Sequence, residues 1–491
     1  MFPLSKDFTT ALVLCVTLAG CFQMPIRTAA RSPIELAKRS ELRVNKSDDT
    51  ENTTEPERTL LALGVSDNGR FLIKQDGTPF FYLADTAWGI VPQTSAAEVD
   101  TYLENRAHKK FTVIQFVATW RLHTAFLNSD IGVPVRGYWR RVDYIVNKAE
   151  AFGLYVGLLP LWGDAVTSGD VTIANAHAYG EFLGTRYRTH PIIWILGGDK
   201  AAGGYEDIWR ALAKGIAIGT SGTENYDAVI MSYHPTFRES SSEWFHADPW
   251  LDFNMVQSGH CQDHTNYIAV AADYSRRPVK PTMEGEAVYE NIPDCLVRGK
   301  PKAASYDVRK VAYSSVFAGG HGFTYGANEV YGFWNPGETA FGYDSFWGAD
   351  TPWRRALDLP GAFHMQHLRT LMESRPYLVR IPDETVVVSP HTSRNDRVQA
   401  TRDANGSYAF IYISDGDPVS IDMAKISGGG VRAAWYNPRD GTSQSIGLFP
   451  NSGMRTFAPP TSGEGSDWVL VLDDASRNFA LPGRSLSSVT E

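Results

Sequence analysis

Eight short apolar segments recur between residues 80 and 325, and each of them ends in polar or aromatic residues. They are FFYLAD (80–85), FTVIQFVA (111–118), YVGLLPLW (155–162), IIWILGGD (192–199), AVIMSYHP (228–235), FNMVQSG (253–259), VKPTMEGE (279–286) and VFAGGHGFTY (316–325). Unbroken apolar runs are typical of strands buried on both faces of a parallel sheet, and the intervening stretches are long enough for crossover helices. The pattern predicts an α/β fold, a (β/α)8 TIM barrel, with a doubly wound sheet as the alternative.

The segments that flank this series predict the domain organisation. Residues 31–58 are polar without a sustained apolar period, which indicates a disordered lead-in. The stretch GRFLIKQDGTPF then alternates around Asp76-Gly77, a hairpin signal. From about residue 377, short apolar runs with Gly, Pro and Asp-Gly punctuation replace the helical period. We expect a barrel domain over 59–376, an antiparallel β-sandwich over 377–476 and a polar tail over 477–491.

The first thirty residues indicate export. An apolar run over 11–19 follows a single Lys and is too short to be a stable membrane anchor, so residues 1–30 are interpreted as a signal peptide. The tetrapeptide LAGC also matches a bacterial lipobox, in which Cys21 would be lipidated. We therefore expect a secreted protein, with a lipid-anchored bacterial envelope protein as the alternative. No later segment is long and apolar enough to be transmembrane.

Glycosylation motifs and cysteines also bear on the compartment. Sequons begin at Asn45, Asn52 and Asn405, and they favour a secreted glycoprotein of eukaryotic origin. After processing, Cys261 and Cys295 are the cysteines certain to remain. In an oxidising compartment we expect them to form a disulfide, and two buried free thiols are the alternative.

Composition narrows the class of partner. The 491 residues carry 46 basic and 55 acidic side chains, a net charge of −9, and no long basic run, which argues against nucleic-acid binding. With 13 Trp, 22 Tyr and 24 Phe, the chain suits a neutral, hydroxyl-rich ligand, because aromatic faces pack against the C–H faces of sugars. We expect a polysaccharide or oligosaccharide substrate and a monomeric protein.

In a TIM barrel the active site lies at the carboxyl ends of the strands, so the residues there are the candidates. Ten of them are interpreted as substrate-binding: Asp85, Trp88, Trp120, Trp162, Asp164, His234, Gln257, His260, Glu290 and Tyr325. These strand ends hold no phosphate-binding glycine motif and no nucleophile elbow. The histidines show no close spacing with Asp or Cys, so we expect neither a metal nor a cofactor.

Two further carboxylates, Asp199 on the fourth strand and Glu286 on the seventh, are predicted to face each other across the barrel mouth. Hydrolysis of a glycosidic bond needs such a pair, one group protonated and one ionised. The alternative is structural, with Asp199 capping the next helix and Glu286 in a salt bridge. Period-two alternation predicts Glu284 on the same side of the strand as Glu286, about 7 Å deeper, in a supporting role. We therefore assign the nucleophile to Glu286.

The motifs FFYLADTAWGI, IIWILGGD, GEAVYE and GGHGFTYGANEVYGFW together resemble the apiosidase-like glycoside hydrolases over roughly residues 65–375. The remainder, with WYNPRDG and DWVLVLDD, resembles the collagen-binding-type β-domain that often follows this catalytic domain. The resemblance implies a (β/α)8 barrel that removes β-linked apiose from pectic side chains, with retention. It also implies that Asp199 is the general acid/base and Glu286 the nucleophile. Ala287 stands where the family often has Pro, which favours a divergent substrate.

Two functions are therefore weighed. The first is a secreted glycoside hydrolase that acts on plant or microbial polysaccharide through Asp199 and Glu286. The second is a glycan- or matrix-binding protein on a degenerate barrel. Catalysis requires that both carboxylates converge in one open pocket beside Trp88, Trp120 or Trp162. Retention requires a carboxyl separation of about 5 Å, whereas more than about 6.5 Å would favour inversion.

Overall fold

The fold is taken from a computed structural model of the chain. It describes residues 60–337, 347–389 and 398–483, together with the backbone of residues 339–340 and 343–344. The predicted signal peptide, the lipobox cysteine and the lead-in lie outside the described residues, as do two of the three sequons. The third sequon begins at Asn405, which is exposed in a turn between two strands of the C-terminal domain.

Eight parallel strands form the larger sheet, and each of them is buried along its whole length. They are β1 (Tyr82–Thr86), β2 (Val113–Thr119), β3 (Tyr155–Leu161), β4 (Ile193–Gly197), β5 (Ile230–His234), β6 (Asn254–Gln257), β7 (Thr282–Glu286) and β8 (Gly322–Tyr325). Their order is β5-β4-β3-β2-β1-β8-β7-β6, so the first strand pairs with the last. The TIM barrel is thereby confirmed, and the doubly wound alternative is wrong.

A helix follows every strand. These helices are α1 (Ala96–His108), α2 (Arg136–Ala151), α3 (Ile173–Tyr187), α4 (Glu206–Ser221), α5 (Ser242–Phe245), α6 (Asn266–Tyr274), α7 (Ser305–Phe317) and α8 (Pro360–Glu373). Single helical turns lie in the loops at Ile90–Gln93, Leu122–Ala125, Leu127–Ser129, Asp164–Thr167, Tyr226–Ala228, Asp294–Leu296 and Trp353–Ala356. At the start of α1, Ser95 and Glu98 form the capping box that the sequence predicts. Within the described ranges, every helix is too short or too polar to span a bilayer.

The barrel is nearly closed, and single hydrogen bonds bridge its one seam. Between β5 and β6, Asp252 N donates to Met231 O at 2.9 Å, and Met231 N donates to the Asp252 carboxylate at 2.7 Å. A two-residue strand, Glu239–Ser240, pairs antiparallel with β6. The amino end of the barrel is covered by three short strands, Leu63–Val65, Leu72–Lys74 and Pro79–Phe80, and the last two form the predicted hairpin. At the opposite end of the barrel, where the strands have their carboxyl ends, lie the loops that connect strands to helices.

The C-terminal domain is a β-sandwich, as predicted. Its strands are β9 (Arg380–Pro382), β10 (Val398–Asp403), β11 (Tyr408–Ile413), β12 (Val419–Asp422), β13 (Val431–Tyr436), β14 (Ser443–Phe449), β15 (Met454–Phe457) and β16 (Trp468–Asp474), with single turns at Glu384–Val386, Met423–Lys425 and Ala475–Arg477. A six-stranded sheet in the order β9-β10-β11-β16-β13-β14 packs on the β12–β15 pair. Two further short strands, Thr339–Ala340 and Tyr343–Asp344, pair within the loop after β8.

The two domains share a packed interface, and the chain beyond the sandwich belongs partly to it. Tyr412 of β11 stacks on Tyr313 of α7, with ring centroids 4.9 Å apart. The first residues of the predicted polar tail, which begins at residue 477, contact the body of the protein. The Phe479 ring lies under the Arg375 guanidinium, which also donates to Ala480 O at 3.0 Å. Residues up to 483 are therefore anchored to the body of the protein, because they cover a buried arginine.

Candidate active site

Glu286, the last residue of β7, lies at the carboxyl mouth of the barrel with 5% of its surface exposed. Four side chains surround its carboxylate. Gln257 donates through Nε2 to Oε2 at 2.9 Å, and His234 Nε2 lies 2.9 Å from the same oxygen. The Tyr289 hydroxyl donates to Oε1, and Trp88 Nε1 approaches that oxygen at 3.4 Å. Both oxygens of a buried carboxylate are thus solvated by the protein.

These partners keep Glu286 ionised. Burial by itself raises the pKa of a carboxyl group, but the hydrogen bond and charge of His234, assisted by His260 and Tyr289, lower the pKa of Glu286 to about 2. Burial by itself lowers the pKa of His234. The hydrogen bond and charge of the Glu286 carboxylate have the larger combined effect, so the pKa of His234 is raised. The site therefore holds a fixed negative charge, as a nucleophilic carboxylate requires.

Asp199 follows β4 through two glycines that turn the chain into the mouth. Gly197 and Gly198 have φ of +89° and +126°, and Asp199 itself is left-handed at +53°. A Cβ on Gly198 would lie 2.8 Å from Cε3 of Trp162, so only glycine fits at that position. The structural alternative for Asp199 is not met, because α4 begins only at Glu206 and has Tyr205 as its N-cap.

The two carboxylates converge on one amide group. Gln257 Nε2 donates to Asp199 Oδ1 at 3.1 Å as well as to Glu286 at 2.9 Å. The two oxygens can be no farther apart than these two distances placed end to end. Partial burial, followed by the negative charge of Glu286, raises the pKa of Asp199. The two groups are thus shifted in opposite directions: the pKa of Glu286 is lowered and that of Asp199 is raised, so Asp199 takes up a proton more readily than Glu286.

Three tryptophans form one wall of the mouth. Trp88 and Trp162 have ring centroids 5.4 Å apart, and Trp120 and Trp162 are 5.0 Å apart. Trp120 and Trp162 are partly exposed, while Trp88 is buried against Glu286 and His234. Partly exposed indole faces beside two carboxylates are suited to the C–H face of a sugar ring. The structure therefore brings all three predicted tryptophans to the carboxylate pair.

His260 and Asp164 are placed nearer the rim. His260 Nε2 is 3.8 Å from Glu286 Oε1, and its other ring nitrogen lies 3.1 Å from Ala287 O. Asp164 lies in the loop after β3, where its half-exposed carboxylate is 3.3 Å from Lys200 Nζ. His260 thus contacts the reacting centre, whereas Asp164 can meet only a ligand that extends outward.

Three predicted substrate-binding residues do not reach the mouth. Asp85 points away from the barrel interior and is fully buried against Arg106 at 2.8 Å. Glu290 accepts hydrogen bonds from Tyr325 at 2.6 Å and from Gly361 N at 3.0 Å, so it anchors the start of α8. The predictions for Asp85 and Tyr325 are wrong because strand alternation turns both side chains towards the helices. The prediction for Glu290 is wrong because Tyr325 and Gly361 bind its carboxylate on that helix side.

The prediction that Glu284 and Glu286 share one face of β7 is also wrong. The β6–β7 ladder pairs Val256 with Glu284 but Gln257 with Glu286, so Gly285 is an extra residue. Alternation cannot reveal such a bulge. Sequence reasoning also left Tyr289 out of the site, although it stands three residues beyond Glu286, because nothing in the pattern showed that its hydroxyl folds back onto the carboxylate.

Cys261 and Cys295 form the predicted disulfide, which joins the loops after β6 and β7. The backbone N–H of Cys295 donates to His260 O at 3.0 Å, so this link supports the rim beside Glu286. Within the described residues, the one cluster with metal-ligand spacing is Cys261, Asp294 and Cys295. Its two sulfurs are joined to each other, and a disulfide offers no thiolate ligand.

Comparison with known proteins identifies the family. A family profile described as "Apiosidase-like, catalytic domain" matches residues 66–379, well over half of the chain. The chain belongs to the apiosidase-like family. A second profile, described as "Putative collagen-binding domain of a collagenase", matches residues 381–473. No curated protein sequence matches the chain.

Solved structures place this apiosidase-like protein among the glycoside hydrolases. One glycoside hydrolase is 34% identical with a TM-score of 0.79, and the match covers 86% of this chain and 98% of the other. A family 5 glycoside hydrolase from Bacteroides vulgatus is 33% identical with a TM-score of 0.79, over 85% of this chain and 94% of the other. The protein is an O-glycosyl hydrolase. The binding-protein alternative is set aside for this reason, and because Asp199 and Glu286 meet beside the three tryptophans.

Proposed function

We propose that the protein is a secreted, retaining glycosidase that releases β-linked apiose or a related sugar from pectic or microbial polysaccharide. In this proposal Glu286 is the nucleophile and Asp199 is the general acid/base. The observation that carries it is the single Gln257 amide, which donates to both carboxylates. That bridge keeps one oxygen of each carboxyl group close to the other, which supports the short separation of about 5 Å between the carboxyl groups of retaining pairs.

The reaction would proceed in two steps. In the first, a Glu286 oxygen attacks the anomeric carbon while Asp199 gives its proton to the leaving oxygen, which yields a glycosyl ester on Glu286. In the second, the Asp199 carboxylate takes a proton from water, and the resulting hydroxide displaces Glu286 from the sugar. The opposite pKa shifts of the two groups support these roles, because the first step needs Glu286 ionised and Asp199 protonated.

The tryptophan wall supports a sugar as the bound group. Trp120 and Trp162 present partly exposed ring faces beside the carboxylates, and Trp88 closes the inner side. The family description supports apiose as the first sugar to test. Secretion is part of the proposal, and the disulfide between Cys261 and Cys295 supports it, since such links persist in oxidising compartments.

A panel of pectic and microbial oligosaccharides tests the proposal, with the released sugar identified and methanol added as an acceptor. A retaining enzyme forms the methyl glycoside with the anomeric configuration of the substrate. Glu286→Gln should abolish turnover. Asp199→Ala should be slow on natural substrates but recover on aryl glycosides when azide is added, because azide needs no general base. Asp67→Asn, an exposed carboxylate at the amino end of the barrel, is the control.

Two outcomes would reject the proposal. An inverted methyl glycoside would exclude retention. Turnover that survives both substitutions in folded protein would place the reaction elsewhere in the molecule.

A further inference from the structure

The strand that carries Glu286 is irregular one residue before it. Along β6 and β7, Met255 lies opposite Met283 and Val256 opposite Glu284, yet Gln257 lies opposite Glu286. Gly285 therefore has no opposing residue, which defines a β-bulge on β7. A side chain at Gly285 would overlap Met255, so the bulge needs glycine.

This bulge decides which way Glu286 points. Residues directly opposite each other on paired strands share a face of the sheet. Val256 packs with Val270 of α6, so Glu284, its partner, lies on the helix-facing side. Gln257 reaches into the mouth, and Glu286 lies beside it. In a regular strand the two glutamates would share the helix-facing side, because side chains alternate with a period of two.

A bulge also removes backbone donors from the regular ladder, and the Glu284 carboxyl group meets two of them. Its Oε1 accepts from Ser258 N at 3.1 Å and from Glu286 N at 3.3 Å. Ser258 directly follows Gln257, the amide that bridges the carboxylate pair. Glu284 is fully buried, so water cannot take its place at these two N–H groups.

We propose that Glu284 is a positioning residue that sustains the bulge and thereby holds the Glu286 carboxylate against Gln257 and opposite Asp199. It joins the ends of β6 and β7, at the residue that follows Gln257 and at Glu286 itself. Burial raises the pKa of Glu284 to about 8, against the hydrogen bonds from Ser258 and Glu286 N–H. The group therefore acts as a neutral acceptor, and adds no second negative charge beside the reacting centre. This inference rests on the proposed function, since it takes Glu286 as the nucleophile.

Two substitutions of similar size separate the acceptor from the rest of the side chain. Glu284→Gln keeps a carbonyl oxygen at the position of Oε1, whereas Glu284→Met removes every acceptor. With 4-nitrophenyl β-apiofuranoside as the probe, we expect the Gln variant to keep kcat within about 3-fold. The Met variant should lose at least about 10-fold in kcat with KM nearly unchanged, because a nucleophile displaced by about 1 Å can cost up to about 10²-fold.

Thermal unfolding of both variants shows whether they are folded. Near-normal kcat in a folded Met variant would overturn the proposal. So would a folded Gln variant that loses as much as the Met variant, since a neutral acceptor would then not suffice. If the Met variant does not fold, the Gln variant alone decides by the same 3-fold limit.

A failure of the proposed function is recognised separately. If the unsubstituted protein hydrolyses no glycoside, crystal structures of the two variants test the positioning directly. A Glu286 carboxylate that leaves Gln257 in the Met variant and stays in the Gln variant supports the inference. A carboxylate that stays in place in both variants overturns it.

Discussion

Replacing Tyr289 with Phe removes one hydroxyl group and nothing else from the site. That hydroxyl donates to Glu286 Oε1 and receives Trp88 Nε1–H at 3.2 Å. It is among the groups that lower the pKa of Glu286 to about 2. Without this donor the ionised form of Glu286 is less stable, so the pKa rises. Under the proposed mechanism activity needs Glu286 ionised, so activity should be lost at a higher pH as the solution is acidified.

The size of the shift follows from the kind of bond that is lost. A hydrogen bond to a charged group contributes about 1.5–3 kcal/mol. One pKa unit corresponds to about 1.4 kcal/mol, so the acid limb should move up by about one to two units. Starting from about 2, the Glu286 limb in Tyr289→Phe is expected between about pH 3 and 4. The unsubstituted enzyme should show no such limb above about pH 3.

The assay is kcat/KM against pH from 3 to 8, since this ratio reports groups of the free enzyme. Residual activity after return to neutral pH shows that the protein survives each exposure. Tyr325→Phe is the matched control. It deletes a buried hydroxyl on the neighbouring strand, and this hydroxyl binds Glu290 and not Glu286. An unmoved acid limb in folded Tyr289→Phe, or an equal shift in the control, would refute the reasoning.

Two other features of the mouth give predictions of their own. Gly198→Ala should lower kcat at least about 10-fold, because its Cβ displaces Trp162 and misplaces the neighbouring Asp199. Gly203→Ala in the same loop should match the unsubstituted enzyme, because its Cβ would meet only Trp244 Nε1, at an ordinary contact distance of 3.7 Å. Equal activity of the two variants would contradict this. Replacing Cys261 and Cys295 together by Ser should lower the unfolding free energy by about 3–4 kcal/mol in urea titrations, as loop entropy predicts for a link 34 residues apart, and an unchanged midpoint would exclude this.

Three glutamates within seven residues illustrate how far sequence reasoning reaches. Glu286 was predicted at the mouth, and it lies there. Glu284 is predicted to support it from the same face of β7, but it lies on the helix side and meets the backbone N–H of Glu286 from there. Glu290 is predicted to bind substrate, but it anchors α8. Glu284 and Glu286 lie on different faces because Gly285 is an extra residue that shifts the β6–β7 register. Whether a glycine bulges depends on the register of the neighbouring strand, which a single strand does not encode.

Tertiary packing likewise decided which way the side chains of Asp85 and Tyr325 point. Both end apolar strands and satisfy the strand-end rule, yet they face the helices, where Arg106 and Glu290 bind them. Strands that are buried on both sides have no polar face, so their sequence does not show which residues point inward. Only closure of the sheet defines an inside.

The sequence by itself indicated the barrel, the sandwich and the two strand ends that hold Asp199 and Glu286, because periodicity and glycine placement are local properties, and its two remaining cysteines indicated the disulfide. The tertiary structure alone decided that one Gln257 amide joins these carboxylates, that histidines and Tyr289 keep one of them ionised, and that Glu284 secures the bulge. Such contacts join residues far apart in the chain, and their distances and shared burial, which set the pKa values, exist only once the barrel has closed.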